Sequence, residues 1–407
     1  MNEFQNELKK RLEALREEGL YRELRRVDSP QSPRITVNGK ALLNFGSNDY
    51  LGLANEPALK EAAIKAVKEY GAGAGASRLI CGSLGPHQEL DEALAAFKGT
   101  EAALSFSTGY AAAVGTICAL LGRDDIIILD KLVHACIVDA GRLCGAKMRV
   151  FAHNDPDDLE NILIWAARQN AGKETAGGGT RGRTLVVTES VFSMDGDQAP
   201  LREIAELKEK YGAWLMVDEA HATGLYGENR RGLAEELGVS GQIEIQFGTL
   251  GKALGAAGGY ISGSRALIDY LVNKARSFIF STAPVPAAAA AATAGVRFVQ
   301  SNKGERRRAL LWERVKELQE GLGGCSSMPG KGSAIIPVPI GEETKAVEVS
   351  AALRELGIFI PAIRYPTVAR GQARLRLTVT AAHSATEAAE AITALRSLNL
   401  GNGVSGK

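Results

Sequence analysis

The feature that most restricts the fold is a regular alternation of sequence patterns between residues 56 and 300. Helical patterns alternate there with short apolar runs that end in small or polar residues. Strands buried on both faces read as continuous apolar runs, and parallel neighbours need a helical crossover between them. The runs are AALSFST, DDIIILD, KMRVFAHND, RTLVVTES, AWLMVDEAH, EIQFGTL, GGYISG and SFIFST. The alternation therefore predicts an α/β fold with a mostly parallel sheet in a large domain and helices on both faces.

The segments on either side of this region predict smaller structures. Residues 3–26 show leucines at helical spacing, and a short strand pair is expected around residues 34–45. A helical pattern at 285–322 is followed by further strand and helix patterns. The glycine-rich segment 171–183 predicts an exposed loop. We expect an N-terminal helix-and-strand arm at 1–55, a large α/β domain at 56–295, and an α+β C-terminal domain at 296–407.

Charge and cysteine content exclude several classes of partner. The 48 lysines and arginines nearly cancel the 47 acidic residues, so no global field would hold nucleic acid or an anionic membrane. The five cysteines form no C-x-x-C motif, which argues against a disulfide framework and a zinc cluster and favours the cytoplasm. The longest small-apolar stretch, 286–295, is too short for a membrane span. We expect a soluble cytoplasmic protein that binds neither nucleic acid nor a membrane and holds no metal.

Three strand ends carry residues with possible chemistry. Thr108-Gly109-Tyr110 precedes an alanine-rich helix, whose N-terminus could bind phosphate, although many such turns need glycine only for steric reasons. Asp218 follows five apolar residues and would be partly buried, as a cofactor ligand, a helix cap or a structural ion pair. Lys252 lies between small residues in TLGKALG, where it is either a loop lysine or a group that approaches a cofactor.

Two familiar nucleotide loops are absent at these positions. A Walker loop would need glycine at Gln246 and a hydroxyl residue at Ala253. The run 71–77 resembles a dinucleotide fingerprint, but it follows a helical pattern instead of a strand. Taken together, a carboxylate for a pyridine nitrogen, a lysine for a Schiff base and a helix N-terminus for phosphate are what pyridoxal 5'-phosphate (PLP) requires.

Long motifs carry a resemblance over nearly the whole chain. The sequence resembles the α-oxoamine synthase family of fold-type-I PLP enzymes, whose members are acyltransferases. The matching stretches are NFGSNDYLGLA, GAGASRLICGS, STGYAA, DKLVHACIVDAGRL, TESVFSMDGDQAPL, VDEAHATGLYG, TLGKALG, FSTAPVP and PTVARGQARLRLTVTAAH.

The resemblance implies catalytic roles for four residues. Lys252 would bind the cofactor covalently and later remove the substrate α-proton, while Asp218 would pair with the pyridinium nitrogen. His134 would stack on the ring face. His221 would lie near the ring hydroxyl and the reacting carbonyl, and Ser193 would also lie near that hydroxyl.

The resemblance also implies how the cofactor phosphate is held. The backbone amides of Gly109 and Tyr110, together with Thr108 and the hydroxyl of Thr249, would surround it. Thr282 would come from the neighbouring subunit, because the active sites of this family are shared within a homodimer.

Substrate contacts are implied for four further residues. Arg376 would bind the carboxylate of the amino acid, with Asn48 as a second contact and Thr367 nearby. Arg25 would suit a distal acyl carboxylate, although a solvated helix residue is the alternative reading.

The implied reaction is a decarboxylative condensation of an amino acid with an acyl thioester, carried by coenzyme A or an acyl carrier protein. The early Leu24-Arg25-Arg26 and the motif AIRYPTVARGQARLRLT favour the biotin-pathway reaction of L-alanine with a pimeloyl thioester. GASRLICGS and HACIVDAGRLC also resemble enzymes that join glycine to acetyl-CoA. Condensations with succinyl-CoA or palmitoyl-CoA, and a non-catalytic binding protein, remain alternatives.

Overall fold

The computed structural model describes residues 2–171, 182–323 and 332–398. Within them the strands are β1 (Arg34–Val37), β2 (Lys40–Asn44), β3 (Ala102–Phe106), β4 (Ile126–Asp130), β5 (Lys147–Phe151), β6 (Thr184–Glu189), β7 (Trp214–Asp218), β8 (Ile245–Thr249), β9 (Gly259–Gly263), β10 (Ile335–Gly341), β11 (Ile358–Phe359), β12 (Ala362–Ile363) and β13 (Ala373–Thr378). The helices are α1 (Glu3–Glu17), α2 (Pro57–Tyr70), α3 (Gly85–Lys98), α4 (Gly109–Leu120), α5 (Ala135–Leu143), α6 (Pro156–Asn170), α7 (Leu201–Tyr211), α8 (Leu233–Glu236), α9 (Arg265–Lys274), α10 (Arg276–Ile279), α11 (Pro286–Gln300), α12 (Asn302–Gly321), α13 (Glu343–Glu355) and α14 (Ala385–Ser397).

A seven-stranded sheet organises the first of two units, which comprises residues 51–193 and 197–308. The strand order is β3-β9-β8-β7-β6-β4-β5. The pairs from β8 to β5 are all parallel, whereas β9 runs antiparallel to both β8 and β3. The predicted α/β class with a mostly parallel sheet is therefore confirmed.

Burial explains why the apolar runs form these strands. Every residue of β3, β4 and β6 is buried. One large apolar cluster joins residues of these strands to residues of α4, α5 and α9. Each large side chain in it, such as the fully buried Ile127 and Leu185, contributes about 1.5–3 kcal/mol relative to exposure.

Local signals set the helix ends in this unit. Pro57 begins α2, and Gly71, with a φ of 81°, follows its last residue. α3 ends at Gly99, which adopts the left-handed conformation that only glycine reaches without strain. The predicted helix at 285–322 is divided at Ser301, whose extended backbone separates α11 from α12.

The second unit comprises Met1–Tyr50, Met194–Gly196 and Ala309–Lys407. It contains two three-stranded sheets, ordered β1-β2-β11 and β10-β13-β12. The expected helix over 3–26 is wrong beyond Glu17, because Gly19 adopts a φ of 67° and ends the helix. The division into an arm and two domains at 55/56 and 295/296 remains a prediction.

Some expectations fall on residues that the structure does not describe. Residues 172–181 of the predicted loop and Cys325 lie outside the described ranges. The four described cysteines, Cys81, Cys118, Cys136 and Cys144, are free thiols. Among the helices in the described ranges, none is both long and apolar enough to cross a membrane.

Candidate active site

Three neighbouring parallel strands end at one edge of the large sheet, and each end carries a polar residue. Glu189 ends β6, Asp218 ends β7 and Thr249 ends β8. Glu189 and Asp218 are direct register partners. Three residues beyond β8, Lys252 donates a hydrogen bond from Nζ to Oγ1 of Thr249 over 3.1 Å. The edge therefore places an amine close to two carboxylates.

Asp218 is a buried carboxylate whose charge depends on Lys252. Its side chain is 5% exposed, and Oδ1 accepts a hydrogen bond from the backbone N–H of Ala220 over 2.8 Å. Burial raises the pKa of Asp218 to about 6, while the positive charge of Lys252 and the Ala220 bond oppose that rise. A cation bound beside Asp218 would favour its ionised form further.

Glu189 was missed by the sequence analysis. It is buried, and burial together with the nearby Asp218 raises its pKa well above the ordinary value. Its carboxyl group accepts hydrogen bonds from the backbone N–H groups of His134 and Ser193. Its Oε1 atom is buried with no hydrogen-bond partner. The signal was present, because Glu189 ends an apolar strand just as Asp218 does.

His134 lies at the N-cap position of α5, which fixes its ring. Its Nδ1 accepts a hydrogen bond from the backbone N–H of Cys136 over 3.2 Å. Nδ1 is therefore unprotonated, and the neutral ring carries its hydrogen on Nε2. Desolvation and the charge of Lys252 lower the pKa of His134. His221 and Ser193 are both buried in the same unit.

The N-terminus of α4 adjoins Thr249. Oγ1 of Thr108 caps the helix by accepting a hydrogen bond from the N–H of Ala111 over 3.0 Å. A Cβ atom on Gly109 would lie 2.6 Å from Cγ2 of Thr249, so only glycine fits there. The hydroxyl of the exposed Tyr110 donates to Asp139 over 2.9 Å. An anion at this helix start would meet first-turn amides and the Thr249 hydroxyl.

The predicted substrate residues lie in the second unit. Arg376 is 5% exposed, and its Nη1 donates to Oδ1 of Asn48 over 3.0 Å and to Oγ1 of Thr378 over 2.9 Å. Arg25 and Thr367 are exposed.

Arg25 lies close to other arginines of the second unit. Burial lowers the pKa of Arg354, and the charge of Arg25 lowers it further. Burial and the charge of Arg25 also lower the pKa of Arg364. These arginines carry the same charge and repel one another. A bound anion would relieve that repulsion.

The residues at the sheet edge of the first unit fit PLP. Two buried carboxylates face one lysine, so the site favours an added cation such as a protonated pyridine ring. Oε1 of Glu189 is buried without a hydrogen-bond partner, so it can accept a hydrogen bond from a bound group. The α4 N-terminus and Thr249 provide a separate place for a phosphate group.

The chain matches known proteins over nearly its whole length. Residues 40–395 match the family model described as aminotransferase class I and II. The 8-amino-7-oxononanoate synthase of Geotalea daltonii is 46% identical over 97% of this chain and 98% of its own length. The corresponding enzyme of Anaeromyxobacter sp. is 47% identical over 92% and 91% of the two chains.

Solved structures show the same similarity. A lysine-to-alanine variant of serine palmitoyltransferase from S. paucimobilis, with a bound PLP–myriocin aldimine, has a TM-score of 0.88 and 28% identity over 98% of each chain. The 8-amino-7-oxononanoate synthase of Francisella tularensis has a TM-score of 0.72 and 26% identity, covering 88% of this chain and 97% of its own.

Proposed function

Because the chain belongs to the class I and II aminotransferase family, we propose that it is a PLP-dependent acyltransferase of biotin biosynthesis. It condenses L-alanine with a pimeloyl thioester and releases 8-amino-7-oxononanoate, carbon dioxide and the free thiol. Relatives named for this activity match nearly the full chain at 46% and 47% identity. They confirm the resemblance to α-oxoamine synthases that the motifs predicted. The observation that carries the chemistry is Lys252 beside the buried pair of Asp218 and Glu189.

The geometry supports a distinct task for each residue at the sheet edge. PLP, when bound, supplies a carbonyl carbon that combines with amines and a ring that withdraws electrons from the substrate α-carbon. The Nζ atom of Lys252 would hold the cofactor and would then take the proton from the α-carbon of the amino acid. The carboxylate of Asp218 would keep a proton on the ring nitrogen. His134 would pack against the ring and exclude water from it.

The amino-acid carboxylate is assigned to Arg376. A planar guanidinium can donate two parallel hydrogen bonds to a carboxylate, and Asn48 and Thr378 hold Nη1 in a fixed orientation. Asn48 and Thr367 are assigned to the same substrate, and Arg25 to the distal acyl carboxylate. These assignments rest on the motif resemblance.

Replacing Arg376 with lysine is expected to raise the KM for L-alanine at least ~10-fold, because an ammonium group forms no bidentate pair. Steady-state kinetics with varied alanine would measure the change. The KM for the acyl thioester should change much less. Arg374→Lys, on the same strand, is the matched control, and an equal rise of the alanine KM in both variants would contradict the assignment.

A panel of substrates tests the proposed function. Carbon dioxide release would be followed with L-alanine, glycine or L-serine against pimeloyl-, acetyl-, succinyl- and palmitoyl-CoA, and with pimeloyl carrier protein. The highest kcat/KM is expected for L-alanine with a pimeloyl thioester. A preference for glycine with acetyl-CoA would favour the alternative activity, and no turnover with any pair would contradict the proposed function.

A homodimer is also proposed, on the basis of an apolar surface in the first unit. Ile80 is 79% exposed and Phe280 is 70% exposed. Their segments are joined by a hydrogen bond from the N–H of Ala283 to the carbonyl of Ala76. Exposed apolar patches of this kind mark protein interfaces. Thr282 lies on the same surface, where it could serve the phosphate of a second subunit.

The double variant Ile80→Glu, Phe280→Glu is expected to sediment as a monomer and to lose activity, whereas the wild type sediments at twice the chain mass. Charged side chains at such an interface would be desolvated without partners. Analytical ultracentrifugation measures both states. Tyr270→Glu, which alters an exposed aromatic on α9, is the control. A monomeric wild type with full activity would contradict the shared-site proposal.

A further inference from the structure

His153 joins separate segments of the first unit through both ring nitrogens. It follows β5, and its Nδ1 lies 2.9 Å from Oδ1 of Asp130, the last residue of β4. Its Nε2 lies 2.7 Å from Oδ2 of Asp197. Because each nitrogen faces a carboxylate oxygen, each carries a hydrogen and the ring is an imidazolium. Burial lowers the pKa of His153, but the two carboxylates outweigh burial and raise it to about 9.

The next residue, Asn154, repeats the connection. Its backbone N–H donates to Oδ2 of Asp130 over 2.9 Å. Its side-chain amide donates to Oδ2 of Asp197 over 2.8 Å and to the carbonyl of Gln198 over 3.2 Å. Asn154 adopts a φ of 54°, a conformation that asparagine tolerates better than most residues. His153 and Asn154 thus form one polar cluster with the two aspartates.

One side of the cluster leads to His134. Oδ1 of Asp130 accepts a hydrogen bond from the backbone N–H of Leu132 over 2.7 Å, in addition to the bond from His153. This contact fixes the turn between β4 and α5, and His134 is the N-cap residue of α5.

The other side leads to Ser193. Val191 and Gln198 form an antiparallel bridge, and the N–H of Phe192 donates to the carbonyl of Asp197 over 2.9 Å. The ring of Phe192 meets the His153 ring edge-on, with the centroids 4.4 Å apart. Ser193 therefore lies in a hairpin that Asp197 ties to His153.

We propose that His153 is a positioning residue that sets the spacing between His134 and Ser193 around the cofactor ring. His134 and Ser193 are the two residues whose backbone N–H groups also bond to Glu189. The imidazolium is one of two links between the aspartates, and Asn154 is the other, so removing the imidazolium leaves only Asn154 to hold the turn of β4 against the hairpin. This proposal rests on the proposed function, because the spacing of His134 and Ser193 matters only if both residues contact bound PLP.

The test compares His153→Phe and Asp197→Asn with wild-type holoenzyme. Phenylalanine keeps the ring against Phe192 and removes both hydrogen bonds, whereas Asp197→Asn leaves the shape and weakens the bonds that Asp197 accepts from His153 and Asn154. His383→Gln is the matched control, because His383 likewise binds through both ring nitrogens, to Asn44 and Thr380. PLP affinity, the visible circular dichroism band of bound PLP, and the melting temperature would be measured for each.

His153→Phe is expected to weaken PLP binding about 10-fold or more and to change the dichroism band, since small misplacements of positioned groups are costly. Asp197→Asn should change the PLP affinity and the dichroism band in the same direction as His153→Phe, but by less. The double variant should therefore differ little from His153→Phe. His383→Gln should lower only the melting temperature. A lower melting temperature of His153→Phe with unchanged band and affinity, or additive effects of the two variants, would overturn the proposal. If the wild type itself bound no PLP, the proposed function would fail instead.

Discussion

Lys252→Ala is expected to lower kcat by at least ~10⁴-fold, the largest effect of any single substitution in this chain. The side chain performs two tasks, since its amine holds the cofactor and later accepts the α-proton. Among the described residues, Lys252 is the cation whose charge lowers the pKa of Asp218. Product formation from L-alanine and pimeloyl-CoA would measure the loss.

The protein should still fold. Lys252 donates a hydrogen bond to Thr249, and its side chain is only partly buried, so its removal leaves no large buried cavity. The melting temperature of the cofactor-free variant is therefore expected to stay close to that of the cofactor-free wild type. Borohydride treatment followed by peptide mapping should place the cofactor on Lys252 in the wild type and nowhere in the variant. Lys274→Ala, at the end of α9, is the control; if both variants remained active, the assignment of Lys252 would be wrong.

Asp218→Asn is expected to reduce kcat by roughly 10³-fold, because an amide cannot hold a proton on the ring nitrogen. The variant is nearly isosteric, and Oδ1 can still accept the hydrogen bond from Ala220. Burial raises the pKa of Asp218 above its ordinary value, so replacing this carboxylate with a neutral amide should also make the cofactor-free protein somewhat more stable at neutral pH. Kinetics and thermal unfolding of the same samples would test both statements.

The charge of Asp218 predicts a pH dependence for cofactor uptake. Its pKa is raised to about 6 by burial, so the cofactor-free protein loses this negative charge as the pH falls through that value. PLP affinity should then fall by up to ~10-fold for each further pH unit, since binding must first remove the proton. Asp218→Asn should show a flatter profile over the same range. A wild-type affinity that is constant from pH 7 to pH 5 would contradict this account.

The sequence predicts residues that share one simple signal. Asp218 and Lys252 follow apolar runs directly, and the carboxyl ends of parallel strands meet at one edge, so their proximity could be inferred. Glu189 also ends an apolar run, but the sequence does not show that its strand lies next to the strand that ends in Asp218. Which strands are neighbours depends on packing among distant segments, and no local pattern encodes it.

The His153 cluster shows a second limit. Its members come from three segments of the chain, and each alone is typical of an ordinary polar residue at a strand end or in a turn: Asp130, His153 with Asn154, and Asp197. Only the parallel pairing of β4 with β5 and β6 brings them together. The helix predicted over 3–26 failed for a different reason, since a single glycine in the left-handed conformation ends it after Glu17.

The sheet β1-β2-β11 has a consequence for biosynthesis. β2 pairs with β11 in parallel, with Leu43 opposite Ile358, so its two neighbours come from opposite ends of the chain. During translation one edge of β2 stays unpaired until most of the protein has been made. Unpaired edges are templates for association, and distant pairings form slowly. A chaperone that covers this edge of β2 until residues 358–359 leave the ribosome would prevent such association.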